Sequence, residues 1–348
     1  MPRVPVRLGL LAASRIAHKA ILAPVRHPGV PGVELIAVGA RDLARAEAAA
    51  GEAGAPLAFG SYVELLASDQ VDAVYISTPA GLHRAWAIAA IEAGKHALVE
   101  KPFANNADDA RAVADVAAAH PGVVVMEAFH WRYHPFADRI AEVIGSGAIG
   151  TVTRAEAAFD VPVGKIPSTD IRFDLALGGG ATMDLGCYAI QWVRHAVAAC
   201  PQAGGDPTVL PEVVSAEAVV AAPGIDGSLA AELRWPSGAT GSVESSMLFA
   251  GPAAEAWLVV HGTLGMLQVT NPLGPQTGGA ELRLTTEAGT TIEPADESAT
   301  YFHQLVAFRD AIVDGTPFPT DAADAVRNMQ VVDACYVAAG LGIRPTLA

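Results

Sequence analysis

Across the first 130 residues, short uninterrupted apolar runs alternate with longer stretches of helical period, and that alternation leaves few folds open. A strand in a parallel sheet is covered by helices on both faces, so it reads as a continuous apolar run rather than an alternating one. Five such runs are present, at Val6 to Leu11, Val33 to Val38, Val71 to Ile76, His96 to Val99 and Val123 to Glu127. With helices between them they predict βαβ units and a parallel sheet. The punctuation agrees. Ser61 and Glu64 have capping-box spacing, Gly94 follows the helical run that ends at Ala93, and Pro135 stands where a further helix can begin.

From Ile149 onward the texture changes to alternating segments separated by Gly and Pro: Thr151 to Phe159, Val213 to Ala221, Ser228 to Trp235, Ala239 to Leu248, Trp257 to His261 and Met266 to Val269. Alternation with period two marks strands with one covered face, so this half predicts an antiparallel sheet. Helical stretches at Tyr301 to Asp314 and Ala322 to Ala339 follow. A chain of 348 residues, at roughly 150 per domain, is expected to form two domains.

Composition narrows the function. Lys and Arg total 22 against 37 Asp and Glu, a formal charge of −15 that repels nucleic acid and anionic membranes. Charged residues are only 17% of the chain and hydrophobic ones 51%, which excludes disorder and favours a large interior or a subunit interface. The three cysteines, Cys187, Cys200 and Cys335, are too few and too scattered for a disulfide framework or a zinc site. The segment from Met1 to Leu11 is short and proline-punctuated for a signal peptide, and no apolar run approaches the ~18 residues of a membrane span. A cytoplasmic protein is expected.

After the first predicted strand the chain reads Gly9-Leu10-Leu11-Ala12-Ala13-Ser14-Arg15-Ile16-Ala17. A dinucleotide fold needs a tight turn here, so that backbone N–H groups at a helix start reach a pyrophosphate. Ala12 and Ser14 stand where glycines are expected; both are small, and the Ser14 hydroxyl can cap the helix or donate to a phosphate oxygen. The second strand leads into Gly39-Ala40-Arg41-Asp42. There, Arg41 suits the 2′-phosphate of NADP better than the free 2′-hydroxyl of NAD, or is simply a solvated residue opening the next helix.

Three further segments are more specific: Ser77-Thr78-Pro79-Ala80-Gly81-Leu82-His83, Glu92-Ala93-Gly94-Lys95-His96 and Glu100-Lys101-Pro102. Together they resemble the glucose-fructose oxidoreductase family, also called the inositol dehydrogenase or Gfo/Idh/MocA family. Met126-Glu127-Ala128-Phe129, Trp131-Arg132-Tyr133-His134-Pro135, the run from Gly178 to Tyr188, Asp333-Ala334-Cys335-Tyr336 and Ala339-Gly340 resemble its dihydrodiol and aldose dehydrogenase branch. The resemblance implies hydride transfer between a nicotinamide and a carbinol or carbonyl carbon of a sugar, polyol or cyclic diol. It also implies a catalytic group made of the lysine of Glu-Lys-Pro, here Lys101, and a tyrosine or histidine in the later helix, here Tyr188. A sensor of the same fold without turnover is the alternative.

Lys101 is one of four lysines and follows a buried strand, at the carboxyl end of a sheet where such folds bind ligands. Desolvation there would lower its pKa and let it exchange a proton with a substrate hydroxyl. Asp184 and Tyr188, four apart in a helical stretch, are expected on one face as a proton relay, with a capping carboxylate and a core aromatic as the other readings. Ala12, Ser14, Arg15, Ile16, Arg41, Thr78, Pro79 and Lys101 are candidate cofactor contacts; the resemblance adds His83 and Glu100, whose other readings are a helix-start cap and a strand-end charge, and Trp131 and Arg132 are candidates that equally suit core packing. Lys101, Arg172, Asp184 and Tyr188 are the candidate substrate contacts. His130 and His134 are four apart, but Pro135 places them across a turn and no third ligand follows, so no metal is expected.

The fold class expected is α/β: a Rossmann-like parallel sheet over residues 1–130, then an α+β domain over residues 131–348 built on an open, mostly antiparallel sheet. One face of that sheet would cover the active site. The other invites self-association, so a homodimer or homotetramer is expected, with the closing helices packing back on the first domain.

Overall fold

The computed structural model describes residues 5–27 and 29–347. The chain divides into two compact units, residues 1–133 with 299–326, and residues 134–298 with 327–348. The last helix, Ala322–Ala338, contributes to both.

The first unit holds six strands: β1 (Val6–Leu11), β2 (Val33–Gly39), β3 (Leu57–Phe59), β4 (Ala73–Ile76), β5 (His96–Val99) and β6 (Val125–Glu127). They form one parallel sheet in the order β3-β2-β1-β4-β5-β6. The predicted strands are all present, with Val71 and Val123 lying just before the observed starts. β3 was not expected: three residues are too few to show a period. The apolar faces meet as predicted, with Leu8, Leu10, Val38, Tyr75, Leu98 and Met126 buried against Ile21, Leu305 and Phe308. Leu305 and Phe308 come from helix Thr300–Asp314, which therefore covers the sheet of this unit. Thr320 ties the returning segment to β6: it donates from Oγ1 to the Glu127 carbonyl at 2.7 Å, and its own carbonyl accepts from the Glu127 N–H at 2.9 Å.

The second unit is built on eight strands: β7 (Val152–Pro162), β8 (Glu212–Ala222), β9 (Ile225–Arg234), β10 (Thr240–Phe249), β11 (Glu255–Gly262), β12 (Gly265–Thr270), β13 (Glu281–Thr286) and β14 (Gly289–Pro294). Their order is β14-β13-β12-β11-β7-β10-β9-β8. Every pairing is antiparallel except β7 with β10. β13 and β14 are not expected from the sequence, because the apolar alternation of β13 is confined to Leu282 and Leu284 and β14 holds a single large apolar residue, Ile292. One face of this sheet packs on helix Cys187–Ala198, which is buried along most of its length. Ser61, Gly94 and Pro135 play their predicted parts: Ser61 Oγ accepts from the Glu64 N–H at 3.1 Å, Gly94 has φ 70°, and Pro135 is the first residue of helix Pro135–Gly145.

Candidate active site

In the first sheet the direction of strand connection reverses between β1 and β4, and ligands of doubly wound folds bind at the carboxyl ends of the strands at such a point. Ala12, just past β1, has φ 96°. That left-handed conformation costs a residue with a Cβ about 1–2 kcal/mol, so the turn keeps a glycine's shape while carrying an alanine. Ser14 does two things here. Its hydroxyl accepts from the Ala17 N–H at 3.3 Å, capping the helix, and donates to Ser77 Oγ at 2.7 Å, joining the end of β1 to the end of β4. Beside Ser77, the Thr78 hydroxyl is buried with no hydrogen-bond partner in the chain. A buried orphan donor next to a helix-opening turn fits the phosphate oxygens of a dinucleotide. Arg15 is exposed and Ile16 half-buried on the same turn.

At the end of β2, Ala40 is buried and Arg41 exposed. Asp42 caps helix Leu43–Ala53 by accepting from the Arg45 N–H at 2.9 Å. Burial raises the pKa of the nearby Tyr62 hydroxyl, while the charges of Arg41 and Arg45 oppose that rise. Two guanidinium groups therefore lie around this strand end.

Lys101 follows β5 and is half-buried. The carboxylate of Glu100 before it accepts from the Tyr75 hydroxyl and from the Lys101 N–H, the latter at 3.1 Å. His83 is buried, with Nδ1 2.9 Å from the Pro102 carbonyl and Nε2 2.7 Å from the Thr78 carbonyl. Burial lowers its pKa, with the Lys101 charge adding to that effect and the contacts to the Pro102 and Thr78 carbonyls opposing it. His83 and Glu100, expected at the cofactor, make these contacts with the segments carrying Thr78, Pro102 and Lys101. The loop beyond is held by Glu127 Oε1, which accepts from the Phe103 N–H at 2.9 Å. Trp131 is only 1% exposed, and Arg132 beside it is half-buried. His130 lies 2.8 Å from Thr300 Oγ1, and His134 caps helix Pro135–Gly145. Among the described residues no His, Cys, Asp or Glu cluster is placed to hold a metal, and no helix is long and apolar enough to cross a membrane.

In the second unit, Arg172 and Asp184 meet in a two-pronged ion pair, and Arg172 Nη1 also donates to Asp170 Oδ1 at 2.9 Å. The two carboxylates hold the guanidinium pKa above its ordinary value against the opposing effect of burial. The segment carrying Asp184 is not regular α-helix. Thr182–Gly186 forms a π-turn ahead of helix Cys187–Ala198, so the four-residue spacing does not mean what it would in an α-helix, and π-turns are frequent at functional sites. Asp184 is engaged by Arg172, while the Tyr188 ring is 4% exposed and packs on Phe159 and Trp192 with centroids 5.9 and 6.0 Å away.

Sequence reasoning missed the support beneath this pair. Asp226, at the start of β9, is fully buried and accepts from the Thr182 N–H and hydroxyl, both at 2.7 Å. Arg344 donates to its other oxygen at 2.7 Å, as does Tyr336 at 3.0 Å. The one sequence signal was the glycine run: a Cβ on Gly180 would collide with Asp226, Arg344 and Tyr336, and one on Gly179 with the Arg172 and Asp174 carbonyls.

Comparison with known proteins agrees with this architecture. D-xylose 1-dehydrogenase (NADP(+)) 2 of Haloferax volcanii is 36% identical over 96% of this chain and 97% of its own. The trans-1,2-dihydrobenzene-1,2-diol dehydrogenase of Mus musculus is 32% identical over 78% of this chain and 76% of its own. A 3-ketoreductase from Actinomadura kijaniata, solved in complex with NADP and TDP-benzene, superposes with a TM-score of 0.82 at 26% identity, covering 96% of this chain and 98% of that one. Residues 6–129 match the oxidoreductase family with NAD-binding Rossmann fold, and residues 137–268 match that family's C-terminal domain. With both halves matched in order and a relative aligned end to end, the chain belongs to the GFO/IDH/MocA family of oxidoreductases.

Proposed function

We propose that this oxidoreductase is an NADP-dependent dehydrogenase acting on a CH–OH carbon of a sugar, polyol or cyclic diol. The observation that carries the reading is Lys101, a half-buried lysine on the carboxyl edge of the parallel sheet, its backbone fixed by Glu100 and its neighbour Pro102 by His83. The residues of the β1 and β4 ends would hold the cofactor, with Arg41 taking the 2′-phosphate. The nicotinamide supplies hydride exchange with the substrate carbon. Lys101 and Tyr188 handle the accompanying proton at the substrate oxygen, and Arg172 with Asp184 orients the substrate hydroxyls. The xylose and dihydrodiol dehydrogenase relatives support the substrate class, and the NADP complex supports the cofactor. We place the enzyme in the cytoplasm.

The test is reduction of NADP⁺ and NAD⁺ by purified protein across a panel of D-xylose, other aldoses, cyclic polyols and dihydrodiols. Cofactor binding with no turnover across the panel would point to a sensor instead. We also propose self-association through the second sheet, whose outer strands expose Val214, Val219 and Ile292. Light scattering should give at least twice 35.7 kDa; a monomer at micromolar concentration sinks that part.

A further inference from the structure

We propose that Arg344 and Asp226 are positioning residues that set the place of the Arg172–Asp184 pair, an inference resting on the reading of that pair as the substrate-orienting group. The connection runs through backbone and is continuous. Arg344 Nε donates to the Gly179 carbonyl at 3.0 Å and Nη1 to the Gly224 carbonyl at 2.9 Å, while Nη2 holds Asp226 at 2.7 Å. Asp226 in turn fixes Thr182, the first residue of the π-turn that carries Asp184. Arg172 is reached from the same glycine run, because the Gly180 N–H donates to the Arg172 carbonyl at 2.9 Å and the Gly179 N–H to the Asp174 carbonyl at 2.8 Å. Both members of the pair thus hang on one buried ion pair, and the Arg344 guanidinium also lies 3.8 Å from the centre of the Tyr336 ring.

Net stability alone does not account for this arrangement. A buried ion pair is often no more stabilising than apolar groups of the same volume, since each charge must be stripped of water. What it supplies is direction. Asp226 and Arg344 together receive or donate bonds at Thr182, Gly179, Gly224 and Tyr336, which apolar side chains cannot do. A shift of the pair by a fraction of an ångström would then be felt in substrate binding rather than in cofactor binding.

Thr182→Val removes one hydroxyl bond to Asp226 and leaves the ion pair intact; Arg344→Lys keeps the charge and loses the fork. Arg139→Ala, which breaks the exposed contact with Glu293 in the same unit, is the control. For each protein we would measure NADPH affinity by fluorescence, kcat and KM for D-xylose or the best substrate of the panel, and amide hydrogen exchange over residues 171–186. Thr182→Val and Arg344→Lys should raise KM by roughly tenfold to 10²-fold, leave NADPH affinity within about twofold and speed exchange over 171–186, while Arg139→Ala changes none of these. Should Arg344→Lys fail to fold, Thr182→Val carries the test. Unchanged exchange over 171–186, or faster exchange with unchanged KM, overturns the proposal. A wild-type protein without turnover on any panel member overturns the functional reading instead, and the exchange measurement still decides whether Asp226 and Arg344 hold this segment.

Discussion

Arg172 grips Asp184 with two nitrogens, Nε to Oδ2 at 2.5 Å and Nη2 to Oδ1 at 3.2 Å, while Asp170 takes a third at 2.9 Å. A guanidinium shared by two carboxylates is already neutralised, so on the proposed reading the pair would offer a substrate carboxylate oxygens suited to hydroxyl donors. Asp184→Asn replaces one acceptor by a donor that faces the guanidinium. The expected result is a loss of about 1.5–3 kcal/mol in kcat/KM, the scale of a hydrogen bond to a charged group, taken mostly in KM. Steady-state kinetics decide it: a fall in kcat at constant KM would move Asp184 from orientation into proton transfer.

If Tyr188 moves the proton and Lys101 tunes it, Tyr188→Phe and Lys101→Met should each depress single-turnover hydride transfer by roughly 10² to 10⁴. Cofactor binding should survive both. The double variant should lose little more than the worse single one, because residues acting as a unit do not multiply. Near-normal rates in Tyr188→Phe with a slow Lys101→Met would return Tyr188 to its aromatic cluster with Phe159 and Trp192.

Arg41→Ala should weaken NADP(H) binding by about 1.5–3 kcal/mol and scarcely alter NAD(H) binding. Fluorescence titration of both cofactors checks this; equal losses for the two remove Arg41 from the 2′-phosphate.

Asp160, on β7, is 5% exposed and its Oδ1 has no hydrogen-bond partner. Burial, with Glu244 and Glu255 adding to it, pushes its carboxyl up to about 7. Between the unfolded value of ~3.9 and about 7, the folded chain binds the extra proton, so this residue's contribution to stability is greatest in acid and is lost as pH rises through neutrality. Asp160→Asn stays neutral throughout. Its melting temperature should match that of the wild type near pH 4 and exceed it by a few degrees at pH 8; a constant difference across that range would contradict the assignment.

The sequence was most legible where a pattern is local. β1 and β5 begin and end at the predicted residues, because their burial on both faces is written in consecutive apolar side chains. Long-range pairing is not written that way. Nothing between Val152 and Phe249 announces that β7 and β10 run parallel, since that register is set by how the sheet closes over its helix. In the site, residue types were readable and their partners were not. Asp184 and Tyr188 suggested a relay by spacing alone, but the π-turn changes the geometry and Arg172 claims the carboxylate. Arg344 escaped notice entirely, as an arginine 118 positions from Asp226 carries no sequence mark of being buried.

The return of residues 299–326 to the first unit has a consequence for biosynthesis. When Tyr133 leaves the ribosome, the sheet still lacks Leu305 and Phe308 from its core and Thr320 beside Glu127. At about 5–20 residues per second, translation takes on the order of 10–40 s more to deliver them. Over that interval the nascent chain presents a sheet whose apolar core is only partly covered, and it completes its nucleotide-binding half only after most of the second unit has been made.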